Sequence, residues 1–246
     1  MAESIKIVDI EKIGLVWIKK NKRSRYIRIS VNPYEPVMIS VPQRVSIKDS
    51  IAVIKEKETW IIQQLEKISR LYKKPGVFNE DTKFKTHLHT LVIQKGNVLQ
   101  CKANKKGFNL IVTYPDSLNV ENSEVQSFIQ STITKITRSE AVKYLPERVF
   151  ELAKIHQFNY KKVFIKNTKS RWGSCSSENN INLNLHLVLL PQHLSDYVIL
   201  HELVHTIEKN HGKQFWRKLS LITGDAKKLR KELNNYSHYL YGIYPN

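Results

Sequence analysis

One segment limits what this chain can fold into more than any other: HELVHTIEKNH, residues 201–211. His201 and His205 stand at i and i+4, so in an α-helix their side chains leave the axis about 40° apart with a rise of about 6 Å. Both rings then reach a single point, which a strand or an irregular loop would not ensure. His211 follows ten residues after His201, far enough for the chain to leave the helix, turn, and bring a third imidazole to that point. Three nitrogen ligands with a fourth position left for water describe a catalytic zinc rather than a structural one. Glu202, next to the first His, is placed to act on that water as a general base.

Chance accounts poorly for this pattern. In a shuffled chain with 9 His, a His-Glu-x-x-His occurs about 2 % of the time, and requiring the third His lowers this below roughly one in a thousand. Two plainer readings remain. The helix face could simply be solvated, or the metal could be structural. Structural zinc sites are usually four-coordinate and rich in Cys, and no Cys lies near this segment.

The rest of the composition bounds the setting. A chain of 246 residues, 41 % of them hydrophobic, is long enough for one or two domains with a buried core. The two cysteines, Cys101 and Cys175, form no CxxC, so neither a disulfide framework nor a thiolate zinc site is expected. The N-terminal stretch carries acids where a secretory leader needs a basic start, and no apolar run is long enough to cross a bilayer. The reading is a cytoplasmic protein with no membrane partner. Forty Lys and Arg against 22 acids leave a net charge of +18, concentrated in residues 19–28, 161–171 and 227–231. Such a field attracts polyanions, so nucleic acid is a second candidate partner, although no nucleic-acid motif accompanies the charge.

Period-two alternation at residues 26–31 and 37–41, with Asn32-Pro33 between, predicts a hairpin. Ser46 and Asp49 open an amphipathic helix through Trp60, Ile61, Leu65 and Ile68, ending at the breaker 73–76. Strands are expected at 84–94, 98–103 and 108–114, with turns at Gly96-Asn97 and Lys106-Gly107. From Ser123 the spacing becomes helical through Phe128, Ile129, Ile133, Ile136, Val142 and Leu145, predicting one long helix to Phe158, bent near Pro146. Residues 161–166 and 181–186 read as short strands flanking a polar loop, 167–180. Pro191 precedes the His-Glu helix. The expected class is therefore α+β: a mostly β accessory region with one long helix over 1–120, then a catalytic domain over 121–246.

Three segments carry a resemblance: RSRYIRISV near the start, RWGSCSSENNINLNLHLVLLP in the middle, and HELVHTIEKNHGKQFW near the end. In this order they resemble the YgjP-like metallopeptidase family over most of the chain. The resemblance implies a zincin-like catalytic domain, Zn²⁺ bound by His201, His205 and His211, Glu202 as general base, and a protein or peptide substrate. The catalytic core alone is also similar to the SprT-like and Wss-like proteases that act on proteins crosslinked to DNA. Metzincins share the histidine spacing but place Gly where this chain has Glu208. The turn to His211 is then expected to use Asn210 or Gly212 in a left-handed conformation.

For the anionic intermediate of peptide hydrolysis, the sequence offers Arg171 as the first candidate donor and Tyr236, His238 and Tyr239 as others. Tail aromatics are more often packed than catalytic. In RWGSC, Trp172 reads as a core anchor, Gly173 as a turn and Cys175 as a small buried hydrophobe. The 181–186 strand, with Asn182 and Asn184 on one face, is the expected edge for pairing to an extended peptide. Glu208 is a candidate for orienting a ligand ring. Two alternatives stay open: a metal-dependent nucleotide phosphohydrolase, an activity suggested for some members of the family it resembles, and a basic nucleic-acid-binding module with a structural zinc.

Overall fold

The computed structural model describes residues 5–32, 35–71 and 76–241. The chain divides into two compact units, Met1–Lys74 and Pro75–Asn246. Among the described residues, no helix is long and apolar enough to cross a membrane.

In the first unit, strands β1 (Ile5–Ile10), β2 (Gly14–Asn21), β3 (Arg28–Ser30) and β4 (Val37–Pro42) form a sheet in the order β1-β2-β4-β3. The β3 and β4 strands pair antiparallel, as their alternation predicts; Pro33 of the expected turn lies outside the described residues. One face of the sheet sends Val16, Ile18, Val37, Ile39 and Val41 into a core completed by Ile54 and Ile61. Those two come from α1 (Ile47–Glu56) and α2 (Glu58–Leu71), where the sequence suggested one continuous helix. Lys57 steps out of helical geometry at φ −96° and ψ 10°. Its N–H still bonds the Val53 carbonyl at 3.1 Å and its carbonyl accepts from Ile61 at 2.9 Å, which keeps the two pieces end to end. Ser46 caps α1 as expected, accepting from the Asp49 N–H at 3.0 Å. The breaker expected at 73–76 lies mostly outside the described residues.

The second unit begins with β5 (Thr90–Gly96), β6 (Lys102–Lys106) and β7 (Asn109–Pro115), in the order β5-β7-β6. Gly107 makes the β6–β7 turn at φ +58°, a conformation open to glycine at little cost. Next comes α3, 33 residues from Ser123 to Ile155, unbroken through Pro146. Its first half buries Val125, Ile129 and Ile133 with Leu91, Val112 and Tyr114 of the sheet. Its second half buries Leu145, Val149 and Leu152 in the core that contains the His-Glu helix. Each such side chain contributes about 1.5–3 kcal/mol on burial, so the helix joins both cores. For that reason the boundary expected near residue 120 falls inside the second unit.

A third sheet orders as β8 (Val163–Lys166), β10 (Ile181–Asn184) and β9 (Gly173–Cys175). The β9 strand lies inside what the sequence presented as a polar loop. At three residues it is too short to show alternation, and its pairing with β10 is what defines it. The expected strand 181–186 ends at Asn184, whose side chain accepts from the His186 N–H at 3.1 Å and starts a 3₁₀ turn (Leu185–Leu189). Helix α4 (Gln192–Val204) follows, then α5 (Lys213–Thr223) and α6 (Ala226–Leu233).

Polar connections also hold α3 to its surroundings. Arg148 grips Asp196 of α4 through two bonds of 2.7 Å, the planar fork-to-fork geometry that fixes orientation as well as distance. Glu140, buried on α3, accepts from Thr86 Oγ1 at 2.8 Å and the His87 N–H at 2.9 Å, and lies 2.6 Å from His89 Nδ1.

Candidate metal centre

Helix α4 carries His201 in its last turn and ends at His205. The chain then leaves the helix through tightened turns: Thr206 N–H bonds Leu203 O, Ile207 N–H bonds Val204 O, and Glu208 N–H bonds Val204 O at 2.9 Å. Neither Asn210 nor Gly212 adopts a positive φ. The left-handed residue expected here is not used, because the hydrogen bonds of a tightening helix end already turn the chain. Lys209 holds the turn from outside, donating to Ser176 O at 3.1 Å and to Asn179 Oδ1.

The three rings converge. His211 Nε2 lies 3.0 Å from His201 Nε2 and 3.1 Å from His205 Nε2. Nitrogens bound to one zinc at about 2.0–2.1 Å in tetrahedral directions stand about 3.3 Å apart, close to this spacing. Among the described residues, these three form the one cluster of side chains suited to a metal ion. Burial holds His201 down to about 3 and, aided by the neighbouring rings, keeps it neutral; His205 is lowered chiefly by burial as well. Neutral imidazoles are the form a metal accepts. His205 Nδ1 lies 2.9 Å from the Glu208 carbonyl, so the ring donates there and leaves Nε2 as the acceptor. Glu208 thus orients a ring through its backbone, not its carboxylate. Beneath the cluster, fully buried Phe215 has its ring centroid 4.8 Å from His201, 4.5 Å from His205 and 4.7 Å from His211.

The centre opens into a cleft of about 770 Å³ lined by Arg171, Gly173, His201, Glu202, Trp216 and Arg230, among others. Glu202 is only 5 % exposed. Burial pushes its carboxyl up to about 8, opposed by the Arg171 charge and by a hydrogen bond from the Cys175 backbone. Gly173 sits directly against it: a β carbon there would meet Glu202 Cγ and Oε1 at 2.7 Å. Gly173 is therefore a strand residue whose missing side chain admits the carboxylate, not a turn. Asn184 fastens the approach to β9, its Nδ2 donating to Thr168 O at 2.6 Å and Arg171 O at 3.1 Å. Asn182 Nδ2 reaches Ser174 O more loosely, at 3.4 Å. Because β10 is flanked by β8 and β9, it has no free edge; β9, which among the described residues pairs with β10 alone, replaces it as the strand beside the cleft.

The remaining candidates separate clearly. Arg171 is exposed and lines the cleft together with Glu202, whose carboxyl its charge acts on. Tyr236 and Tyr239 stack on each other at 6.4 Å and pack against the core, and neither lines the cleft; the His238 side chain lies outside the described residues. Trp172 and Cys175 pack against the core but are only half-buried, and Trp172 also lines the cleft, so neither is the fully buried residue expected. Sequence reasoning missed Tyr197 and Arg230. Tyr197 stands one helical turn before His201, a spacing that signals a shared face, and their rings meet edge-on at 6.2 Å. Arg230 lay hidden in a basic cluster; its guanidinium sits over Trp216, 5.6 Å from the ring centre.

No curated protein matches the chain. Solved structures that are similar over part of it include two metallopeptidase zymogens. The metallopeptidase zymogen abylysin of Pyrococcus abyssi is 20 % identical over 36 % of this chain and 90 % of that one, with a TM-score of 0.33. The zymogen jannalysin of Methanocaldococcus jannaschii is 26 % identical over 37 % and 94 %, with a TM-score of 0.34. The YgjP-like metallopeptidase domain matches residues 25–236. That match takes in both the cleft strand and the histidine helix, and the chain belongs to the YgjP-like metallopeptidase family.

Proposed function

We propose that the protein is a zinc-dependent endopeptidase in which His201, His205 and His211 hold the metal and Glu202 is the general base. The observation that carries this reading is the convergence of three imidazole nitrogens at 3.0–3.1 Å in the cleft that also receives the Glu202 carboxylate. The donor set, all nitrogen with one buried acid beside it, suits zinc better than magnesium, which prefers oxygen ligands. When bound, zinc supplies Lewis acidity, polarising the scissile carbonyl and making water available as a nucleophile near neutral pH.

The chain's own residues do the rest. Glu202, held by the Cys175 N–H, takes the proton of the attacking water on its carboxylate and delivers it to the leaving amine. Its low exposure keeps bulk water from competing for that proton. Arg171 donates toward the oxygen that becomes negative as the carbonyl is attacked. The unpaired side of β9 offers backbone groups to an extended peptide, so substrate binds as an added strand.

The test joins metal content to turnover. Wild type and Glu202→Gln are both analysed for bound metal, then compared on denatured protein and on nucleoside triphosphates. The reading expects stoichiometric zinc in both, with cleavage of protein falling about 10²- to 10⁴-fold in the variant. Removing the metal with a chelator abolishes cleavage, and zinc restores it. Turnover confined to triphosphates would establish the phosphohydrolase instead, and metal-replete protein without zinc would overturn the mechanism.

A further inference from the structure

The segment RSRYIRISV belongs to the first unit. It lines a second hollow, of about 570 Å³, within the first unit, together with the turn that follows β4. Lys22, Arg25, Tyr26, Gln43 and Arg44 form its walls. The loop is held by its own backbone: the Arg23 N–H bonds Asn21 Oδ1 at 2.9 Å, the Ser24 N–H bonds Asn21 O at 3.2 Å, and Ser24 Oγ donates to Tyr26 O at 2.6 Å. Lys20 Nζ donates to Gln43 O at 3.2 Å, bringing a further cation to the rim.

Three observations single this hollow out from an ordinary solvated surface. In the sequence from residue 12 to residue 48 the only acid is Glu35, and its carboxylate accepts from Asn32 Nδ2 at 3.1 Å. Among the described residues, no carboxylate forms a salt bridge with Lys22, Arg25 or Arg44, so their charges face the hollow uncompensated. Tyr26 is 80 % exposed in the midst of these cations, although a ring of that size is usually packed on one face at least. Cations at several points of a groove, with a free aromatic ring between them, are the parts a single-stranded nucleic acid needs: phosphates on the cations and a base on the ring. A membrane surface would use a convex patch of apolar side chains beside the charge, whereas this site is concave and offers one ring.

We propose that this hollow binds single-stranded nucleic acid, with Lys22, Arg25 and Arg44 on successive phosphates and Tyr26 stacked on a base. The proposal is independent of the hydrolytic reading of the metal centre. Binding is read by fluorescence anisotropy of a labelled oligothymidylate of about 20 nucleotides on the full chain. With three phosphate contacts, raising salt from about 50 to about 200 mM weakens wild-type binding about 20-fold. The combined Lys22→Glu, Arg25→Glu, Arg44→Glu variant loses more than about tenfold affinity at low salt and most of that salt dependence. Tyr26→Ala loses about fivefold or more with the salt slope unchanged, a separation that a merely attractive positive surface does not produce.

Cleavage of protein substrate without nucleic acid stays at the wild-type rate in all variants, so failure here and failure of the peptidase reading are told apart. Circular dichroism checks folding. Should the triple variant unfold, Lys22→Gln and Tyr26→Ala, both at exposed positions, carry the test alone. Absence of wild-type binding, equal binding by the variants, binding of a free nucleoside triphosphate as tight as that of the oligonucleotide, or a preference for phosphatidylserine vesicles over the oligonucleotide would each overturn the proposal.

Discussion

Gly173 and Glu202 are in contact with no room between them: a β carbon on Gly173 would lie 2.7 Å from both Cγ and Oε1 of Glu202. The strand that walls the cleft thus also sets where the proposed base can stand. The prediction is that Gly173→Ala displaces the carboxylate while leaving the histidines in place. Turnover should fall about 100-fold, the cost of a misplacement near 1 Å, with bound metal unchanged by elemental analysis. A variant with full turnover would mean that the carboxylate need not stand where β9 holds it.

Arg171 lines the same cleft, and its exposed charge acts on the same carboxyl. As the proposed donor to the developing oxyanion, it should affect kcat more than KM. Arg171→Ala is expected to lower kcat by about 10²-fold, with Arg171→Lys recovering part of the loss. A rise in KM alone would reassign the residue to substrate binding.

Glu140 anchors the segment before β5 to α3 through Thr86, His87 and His89. Glu140→Ala leaves buried donors without an acceptor and should destabilise the second unit by about 3 kcal/mol. Glu140→Gln keeps one oxygen acceptor and should cost less. Denaturant unfolding, with an unchanged slope against denaturant, measures both.

His186 is buried in the catalytic core, and its Nδ1 has no hydrogen-bond partner among the described residues. Burial, helped by the Arg138 charge, holds it down to about 4 from an ordinary 6.5. Below 6.5 the unfolded chain takes up a proton that the folded chain refuses, so stability present at neutral pH is lost as pH falls through this window. The loss approaches about 3 kcal/mol by pH 4. Metal-free protein unfolded at several pH values should show it, and His186→Leu should flatten the dependence. An equally steep variant would place the titration elsewhere.

Much of the centre was legible in the linear sequence. His201 and His205 share a helix face because 3.6 residues per turn makes them neighbours, and Glu202 travels with them. The length of α3, the β3–β4 hairpin and the turn at Gly107 follow from equally local rules of periodicity and backbone freedom. What the tertiary structure decided depends on chain segments far apart in sequence. Only packing brings Gly173 against Glu202, Arg230 over Trp216, and Phe215 beneath three imidazoles. Strand β9 is too short to carry a period and exists through its pairing with β10; α3 merges two expected regions because its two halves bury different cores. Local geometry determined which atoms could meet at a metal. Long-range packing decided what surrounds them, because contacts between distant segments leave no periodic trace along the chain.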